Sequence, residues 1–123
     1  AKAFLPLLRK GKDKVFTAIS TEGGSFFEMV HQAPINEIPQ SIPYAYTMSK
    51  AALNMGAWQL QRYVKKDGIK VLCIHPGRMA TRMAGGDLPP EEAAASIREV
   101  ITTHTGLVDG HFFYDWTGKA MPY

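Results

Sequence analysis

The sequence predicts an α/β fold built on a doubly wound parallel sheet of three strands with flanking helices. Three short apolar runs have the composition of buried strands, and segments with helical spacing of apolar residues separate them. Apolar strands that alternate with helices are typical of parallel sheets that carry helices on both faces. Three strands are few for such a sheet, so we expect one strand edge without a partner and a chain that is half of a larger fold.

The first half of the chain is predicted to begin with a helix end and a strand. Residues 1–8 are expected to form the last turns of a helix that stops at Gly11. Residues 14–20, which are rich in β-branched and aromatic side chains, predict the first buried strand. Residues 22–43 hold three prolines among scattered apolar residues, and this composition predicts a long loop or lid.

The second half alternates between helix and strand. Residues 46–66 carry apolar side chains at three- and four-residue spacing, which predicts a helix. Residues 69–74 predict the second strand, and residues 110–114 predict the third. Between these strands, residues 87–104 predict another helix, because their prolines and paired acidic residues suit a first helical turn.

Composition limits the class of protein. With 123 residues and 46% hydrophobic side chains, the chain suits a single domain, expected to span residues 1–123. No run reaches the roughly 20 apolar residues that a membrane span needs, and no secretory signal pattern precedes the first strand. The lone Cys73 excludes an internal disulfide and favours a cytoplasmic setting. The four histidines lack metal-ligand spacing, so we expect no bound metal.

The formal net charge of +3 is unevenly spread, with a basic segment in residues 1–14. A basic patch can bind nucleic acid, but only Phe4 and Phe16 accompany the lysines and the arginine there. A solvated helix end and turn is the favoured interpretation. We therefore expect neither a nucleic-acid partner nor a membrane partner.

The most informative segment is Tyr-Thr-Met-Ser-Lys, which begins at Tyr46. Tyr46 and Lys50 are four residues apart near the start of a predicted helix, so their Cβ atoms would lie about 5–6 Å apart on one face. An ordinary phenol holds its proton at neutral pH, and a neighbouring ammonium favours the phenolate form. Such a pair can move a proton, although the same spacing is also common on solvated helix faces.

Polar residues follow both predicted strands at the edge where this helix begins. Ser20 and Thr21 come at the end of the first strand, and residues 76–81 follow the second. In an open parallel sheet, ligands bind beyond the carboxyl ends of the strands. We therefore expect these hydroxyls, residues 76–81 and the pair Tyr46/Lys50 to converge at one edge.

Three segments together resemble the short-chain dehydrogenase/reductase family. YTMSK (residues 46–50) matches the family's Tyr-x-x-x-Lys signature, and KVFTAIST (14–21) resembles the strand that carries its catalytic serine. HPGRMAT (75–81) matches its Pro-Gly-x-x-x-Thr segment, and residues 106–123 are similar to the closing strand of the small carbonyl-reductase-like branch. The resemblance covers nearly the whole chain. It implies the C-terminal, catalytic half of a Rossmann-like fold, with the N-terminal dinucleotide-binding half missing.

The resemblance also implies an activity and a set of residue roles. An NAD(P)-dependent oxidoreductase would transfer hydride between nicotinamide and a small carbonyl or alcohol substrate. Tyr46 would be the general acid or base, and Lys50 would support it and bind the nicotinamide ribose. The other residues implied to hold the NAD or NADP cofactor are Pro76, Gly77, Met79 and Thr81.

Two assignments stay open at this point. Counting back from Gly24 and Ser25 places Thr21 at the family's serine position, but Ser20 immediately before it could supply the hydroxyl instead. Phe26 and Phe27 could line an apolar substrate pocket, although core packing explains these side chains equally well.

The family's glycine-rich turn has no counterpart here, because the chain contains no Gly-x-Gly sequence. That turn binds the cofactor's pyrophosphate at a helix N-terminus. An alternative is therefore a truncated, catalytically silent half that acts only through association. In this family the two helices that flank the catalytic strand commonly form a dimer interface, which implies a homo-oligomer through residues 1–8 and 46–66.

Overall fold

A computed structural model describes residues 2–32, 44–82, 85–103 and 110–123 of the chain. Its regular elements alternate as the sequence predicts, with strands joined through helices. The strands are β1 (Val15–Ile19), β2 (Lys70–His75) and β3 (Phe113–Asp115). The helices are α1 (Leu5–Lys10), α2 (Phe26–Gln32), α3 (Tyr44–Val64) and α4 (Pro90–Thr103). Short 3₁₀ turns cover Lys2–Phe4, Glu22–Gly24 and Lys65–Asp67.

The three strands form one parallel sheet in the order β1-β2-β3. Val15 lies opposite Lys70, and Cys73 lies opposite Phe113. The C-terminal residues cover the outer side of β3, where the Met121 amide donates to the Phe113 carbonyl at 2.9 Å. In the described part of the chain, the outer edge of β1 pairs with no other strand. The predicted parallel α/β sheet is confirmed.

Side chains of β2 alternate between the two faces of the sheet, and a different helix covers each face. Val71 and Cys73 pack in one buried cluster with Ala57 of α3. Leu72 and Ile74 pack in the other, with Val100 of α4. Because helices cover both faces, β2 is buried throughout its apolar length, as a central parallel strand should be.

The segment 22–43, predicted as a long loop or lid, is partly helical. Its described part folds as the turn Glu22–Gly24 and the helix Phe26–Gln32, while residues 33–43 lie outside the described residues. The Ser25 hydroxyl accepts a hydrogen bond from the Glu28 amide at 3.0 Å and thereby caps α2. A Ser-x-x-Glu capping pattern is present in the sequence and marks this helix start.

Element ends differ from the predicted ends by a few residues. The helix predicted from residue 46 begins at Tyr44, and the helix predicted from residue 87 begins at Pro90. The last strand is also shorter than predicted and runs from Phe113 to Asp115. Fraying and capping decide such boundaries more than the apolar pattern does.

Candidate active site

The carboxyl ends of β1 and β2 meet at one edge of the sheet, directly beside the first turns of α3. The amide of Ser20 donates to the Ile74 carbonyl at 2.8 Å, which extends the pairing of the two strands by one residue. Because the strands are parallel, the segments after their carboxyl ends emerge at the same edge. The two polar segments predicted to converge therefore leave the sheet side by side.

Ser20 is buried. The residue is only 2% exposed, and its hydroxyl donates to Oδ1 of Asn54 at 2.6 Å. The side-chain amide of Asn54 in turn donates to the Gly24 carbonyl at 3.1 Å. These three residues form a buried polar bridge between β1, α3 and the turn Glu22–Gly24. Each polar group of the bridge has a partner inside the protein, as burial requires.

Thr21 has the opposite surroundings. It is half-buried in extended backbone, with φ −158° and ψ 156°, and its hydroxyl oxygen accepts from the Gly23 amide at 3.4 Å. A hydroxyl has one donor hydrogen besides its acceptor lone pairs, so this bond leaves the hydrogen available to a further acceptor. Successive residues of an extended chain point to opposite sides, which separates Thr21 from Ser20.

Tyr46 and Lys50 lie together on the first two turns of α3. The Lys50 Nζ is 5.7 Å from the centroid of the Tyr46 ring, and it donates to the Ile19 carbonyl at 2.8 Å. That carbonyl belongs to the last residue of β1, immediately before the two hydroxyls. Tyr46 is 40% exposed, so its ring is accessible from the solvent. The bond to Ile19 fixes the ammonium beside both the phenol and the tip of β1.

A local bond stabilises the first turns of α3, and a close backbone approach packs them against the turn that follows β1. The Ser49 hydroxyl donates to the Tyr46 carbonyl at 2.7 Å. At Gly24, an added Cβ would lie 3.0 Å from both the Lys50 carbonyl carbon and the Asn54 Nδ2. A glycine at this position allows the turn Glu22–Gly24 to pack directly on the helix that carries the Tyr46/Lys50 pair.

Residues 76–81 follow the end of β2 and pair with Leu88. Gly77 has a φ of +80°, and an added Cβ would lie 2.7 Å from Leu88 and 2.9 Å from Trp116. Met79 pairs with Leu88 in an isolated bridge, and the Thr81 amide donates to the Met79 carbonyl at 2.8 Å. Pro76, Gly77, Met79 and Thr81 are all half-buried, and the contacts with Leu88 and Trp116 hold this segment in place after the end of β2.

His75, at the end of β2, is a residue at the edge of the site that the sequence alone indicates only as a surface or strand-end histidine. Its Nδ1 accepts from the Glu22 amide at 3.3 Å, and its Nε2 lies 3.9 Å from a Glu22 carboxylate oxygen. Burial lowers the pKa of His75 from its ordinary value, while the Glu22, Asp115 and Glu28 carboxylates act to raise it. The only sequence signal was its place next to the Pro-Gly of residues 76–77, because its partner lies 53 residues away.

An apolar cavity of about 720 Å³ lies beside the site, on the neighbouring face of α3. Thr47, Ala51 and Met55 line it, and that face is about 100° around the helix axis from Tyr46 and Lys50. The other lining residues are Gly23, Gly24, Ser25, Phe26, Met29, Met48, Asn54, Trp58, Gly110, Phe112 and Tyr123.

The two predicted substrate residues differ in position. Phe26 lines the cavity and is 82% exposed. Phe27 instead stacks on His31, with 3.9 Å between the ring centroids, and its amide donates to the Tyr123 carbonyl at 3.1 Å.

Metal-ligand clusters and membrane-spanning helices are both missing from the described residues. Among them, no group of three or more His, Cys, Asp or Glu side chains could hold a metal ion. No helix in the described ranges combines the length and the apolar character needed to cross a bilayer.

The fold and the strand-edge arrangement define an α/β protein of the Rossmann type, and the comparisons name its family. No protein-family model matches the chain. The C-signal protein of Myxococcus xanthus is 31% identical over 98% of this chain and 68% of its own length. The mouse estradiol 17-beta-dehydrogenase 2 is 36% identical over 68% of this chain and 19% of its own length. The NADPH-bound carbonyl reductase from chicken fatty liver superimposes with a TM-score of 0.74 at 26% identity, over 99% of this chain.

The chain belongs to the short-chain dehydrogenase/reductase family, and its relatives include a protein named as a dehydrogenase and one named as a carbonyl reductase. It spans about half of the chicken carbonyl reductase chain, 50% by alignment. The family assignment made from the three sequence motifs is confirmed.

Proposed function

We propose that the protein containing this chain is an NAD(P)-dependent oxidoreductase with Tyr46 as its general acid and base. The observation that carries this proposal is the position of the Lys50 ammonium. It is anchored to the Ile19 carbonyl at 2.8 Å and lies 5.7 Å from the Tyr46 ring centroid. A cation held beside a phenol at the carboxyl edge of a parallel sheet is suited to proton transfer at a bound ligand.

The nicotinamide end of NAD or NADP fits the donors present at this edge. The Lys50 ammonium has three N–H donors, and its bond to Ile19 uses one of them. We propose that the hydroxyls of Tyr46 and Thr81 and the backbone of Pro76 and Gly77 form the rest of the polar surface for the cofactor, with Met79 adding an apolar contact. When bound, the reduced cofactor supplies the hydride. The residues of this chain would bind its ribose and carboxamide and orient the substrate.

Tyr46 would move the proton that accompanies the hydride. In carbonyl reduction, its hydroxyl donates a proton to the substrate oxygen as that oxygen gains charge, and in alcohol oxidation it takes the proton back. The Lys50 ammonium stabilises the phenolate that remains. We further propose that Thr21, and not Ser20, donates the hydrogen bond that orients the substrate oxygen. The burial of Ser20 and its bond to Asn54 support this choice.

The substrate is proposed to be a small carbonyl or alcohol compound with an apolar portion. The strongly exposed Phe26 and the apolar cavity next to Thr47 would accept that portion. Phe27 would contribute by fixing α2 beside the cavity, because its amide donates to the carbonyl of Tyr123, which also lines the cavity.

Replacing Tyr46 by phenylalanine tests the proposed function. Tyr46→Phe keeps the ring and removes the proton donor, so kcat for carbonyl reduction by the full-length protein should fall by about 100- to 10,000-fold. Tyr44→Phe is the matched control, because Tyr44 is a 72% exposed tyrosine two residues earlier on the same helix. Turnover that survives in Tyr46→Phe at the Tyr44→Phe level would contradict the proposal.

The alternative is a catalytically silent half that acts only by association. It draws support from the exposed apolar residues Met48 and Met55, which are seven residues apart and so lie on one stripe of α3. Titrating this chain with NADH and NADPH while following cofactor fluorescence discriminates between the two functions. Micromolar binding rules out the silent half, and the absence of binding by the full-length protein rules out the enzyme.

The same exposed stripe, which also borders the apolar cavity, supports a homo-oligomer. An apolar patch on the surface of a helix is a common feature of interfaces between subunits. The full-length protein should sediment as a dimer or larger, and Met48→Asp with Met55→Asp should shift it towards the monomer.

The proposal also covers the bounds of the domain and the cellular location of the protein. Residues 1–123 would be one domain, the catalytic half of the oxidoreductase, and the part of 22–43 that includes α2 would cover the substrate. A cytoplasmic location agrees with the buried, free thiol of Cys73.

A further inference from the structure

The imidazole of His75 joins the two strand ends from which the site is built. The backbone of β2 passes from Ile74 and His75 to the proposed cofactor segment, and the backbone of β1 passes through Ser20 and Thr21 to Glu22. The Glu22 amide donates to Nδ1 of His75 at 3.3 Å. A second hydrogen bond, from the Ser20 amide to the Ile74 carbonyl at 2.8 Å, connects the residues that precede Thr21 and His75. Thr21 is therefore held between two bonds that both end on the tip of β2.

Only one form of the imidazole can make this bond. Nδ1 accepts a hydrogen bond when it carries no proton, so the geometry assigns the neutral tautomer with its hydrogen on Nε2. Protonation places a hydrogen on Nδ1 and turns the acceptor into a donor. The Glu22 amide would then face another N–H group and lose its partner.

Three carboxylates surround His75, one from each neighbouring element. Glu22 belongs to the turn after β1, Glu28 to α2, and Asp115 lies opposite His75 in β3. The Glu22 carboxylate is 3.9 Å from Nε2, too far for a hydrogen bond but near enough to attract an imidazolium. Asp115 already accepts from the Thr117 hydroxyl at 2.6 Å and the Lys119 amide at 3.0 Å. Burial opposes the charge that these carboxylates favour, and on balance it lowers the pKa of His75 below its ordinary 6.5.

We propose that His75 is a positioning residue that fixes Thr21 at the active edge through its hydrogen bond from the Glu22 amide, and that protonation of His75 releases this turn. The inference rests on the proposed function for its catalytic consequence, because Thr21 is the proposed substrate-orienting hydroxyl. Its structural part, the loss of the Glu22 amide bond, is independent of any activity.

The direction of the pH effect is set by the burial of His75. Since the folded protein keeps His75 neutral to a lower pH than the unfolded chain does, the unfolded state binds more protons below pH 6.5. Folding and the Glu22 bond both weaken as the pH falls through this window. Above pH 6.5 the bond from the Glu22 amide to His75 is fully formed, and a further rise in pH does not change the protonation of His75.

Two substitutions at His75 distinguish the loss of the hydrogen-bond acceptor from the loss of the titrating ring. His75→Asn places an amide oxygen near the position of Nδ1, where it can accept from Glu22 but cannot titrate near neutral pH. His75→Leu removes the acceptor. His111→Asn is the matched control, because His111 is another half-buried imidazole whose Nδ1 has a hydrogen-bond partner, the Tyr123 hydroxyl at 2.7 Å.

Amide hydrogen exchange of Glu22 in the full-length protein, expressed as a protection factor from pH 5 to 8, is the primary test. In the wild-type protein and in His111→Asn, protection should fall about tenfold per pH unit once the His75 ring protonates. In His75→Asn it should stay constant, and in His75→Leu it should be low at every pH. Constant wild-type protection through the His75 titration would overturn the inference, and so would full protection in His75→Leu.

The kinetic readout separates positioning from general stability. In the wild-type protein, kcat should fall on the acid side with the same midpoint as Glu22 protection, while KM changes little. His75→Asn should restore turnover relative to His75→Leu and remove this acid limb. If the acid limb persists in His75→Asn, the positioning role is wrong even where Tyr46→Phe upholds the proposed function. If Tyr46→Phe leaves turnover intact, the proposed function fails, while the exchange experiment still decides the His75 bond.

Discussion

Two neighbouring parts of α3 use polar side chains in opposite ways. The first, the Tyr46/Lys50 pair, lies at the surface, where the ammonium is anchored by a backbone carbonyl and the phenol is accessible. The second, the buried polar bridge of Ser20, Asn54 and Gly24, lies one helical turn further along and is closed to solvent. The end of β1 is thus fixed on its buried side by the hydrogen bond of Ser20 with Asn54. On its exposed side, the Thr21 hydroxyl keeps a hydrogen for a further bond.

The energetic roles of the two regions should differ accordingly. Removing one partner from a buried hydrogen-bonded group leaves the other unsatisfied, at a cost of about 1–3 kcal/mol. Removing an exposed polar group away from such features usually changes stability by less than about 0.5 kcal/mol. Substitutions in the Tyr46/Lys50 pair should therefore change activity, and those in the bridge should change stability.

Beyond Tyr46 itself, the greatest loss of activity is expected at Lys50. Lys50→Met keeps the length of the side chain and removes the charge, so the proposed phenolate of Tyr46 would lose its stabilising cation. We expect kcat for carbonyl reduction by the full-length protein to fall by about 100-fold or more. Lys66→Met, in the turn Lys65–Asp67 at the other end of the helix, is the control and should leave steady-state kinetics unchanged. Equal kcat values for the two variants would contradict a role for Lys50 in the proposed reaction.

A smaller effect, on folding, is expected at Asn54. Asn54→Ala leaves the Ser20 hydroxyl and the Gly24 carbonyl without their partner, and we expect the free energy of unfolding to fall by about 1–3 kcal/mol. Urea denaturation followed by circular dichroism measures it. Ser49→Ala is the exposed comparison on the same helix and should lose less than about 0.5 kcal/mol. If both variants lose the same amount, the distinction between buried and exposed polar groups on α3 is wrong.

Much of this arrangement could be predicted from the sequence because it is local or repetitive. The β-branched composition of residues 14–20 and 69–74 located two strands to within about one residue, and helical spacing placed Tyr46 beside Lys50. Parallel topology then brought both strand ends to one edge without any knowledge of the side-chain contacts.

The features that could not be predicted depend on contacts distant in sequence. Ser20 and Thr21 are chemically similar, and only the position of Asn54, 34 residues from Ser20, shows which of them is buried. His75 likewise gave no signal beyond its place at a strand end, because its acceptor role is set by a backbone amide in the turn that follows another strand. The helix α2 escaped prediction for a different reason, since its apolar residues lack a clear period and its Ser-x-x-Glu start lies in a segment whose three prolines predict a loop.

We propose that the Ser20 hydroxyl serves folding and that the adjacent Thr21 hydroxyl serves the reaction, and one pair of variants tests this difference. In the full-length protein, kcat for carbonyl reduction and the free energy of unfolding are determined for Thr21→Val and Ser20→Ala. We predict that Thr21→Val lowers kcat by about 100-fold with little change in stability, because only a hydrogen bond to the reacting oxygen is lost. Ser20→Ala should cost about 1–3 kcal/mol of stability and retain the kcat of the folded fraction. The reverse pattern, with kcat lost in Ser20→Ala and retained in Thr21→Val, would contradict the account.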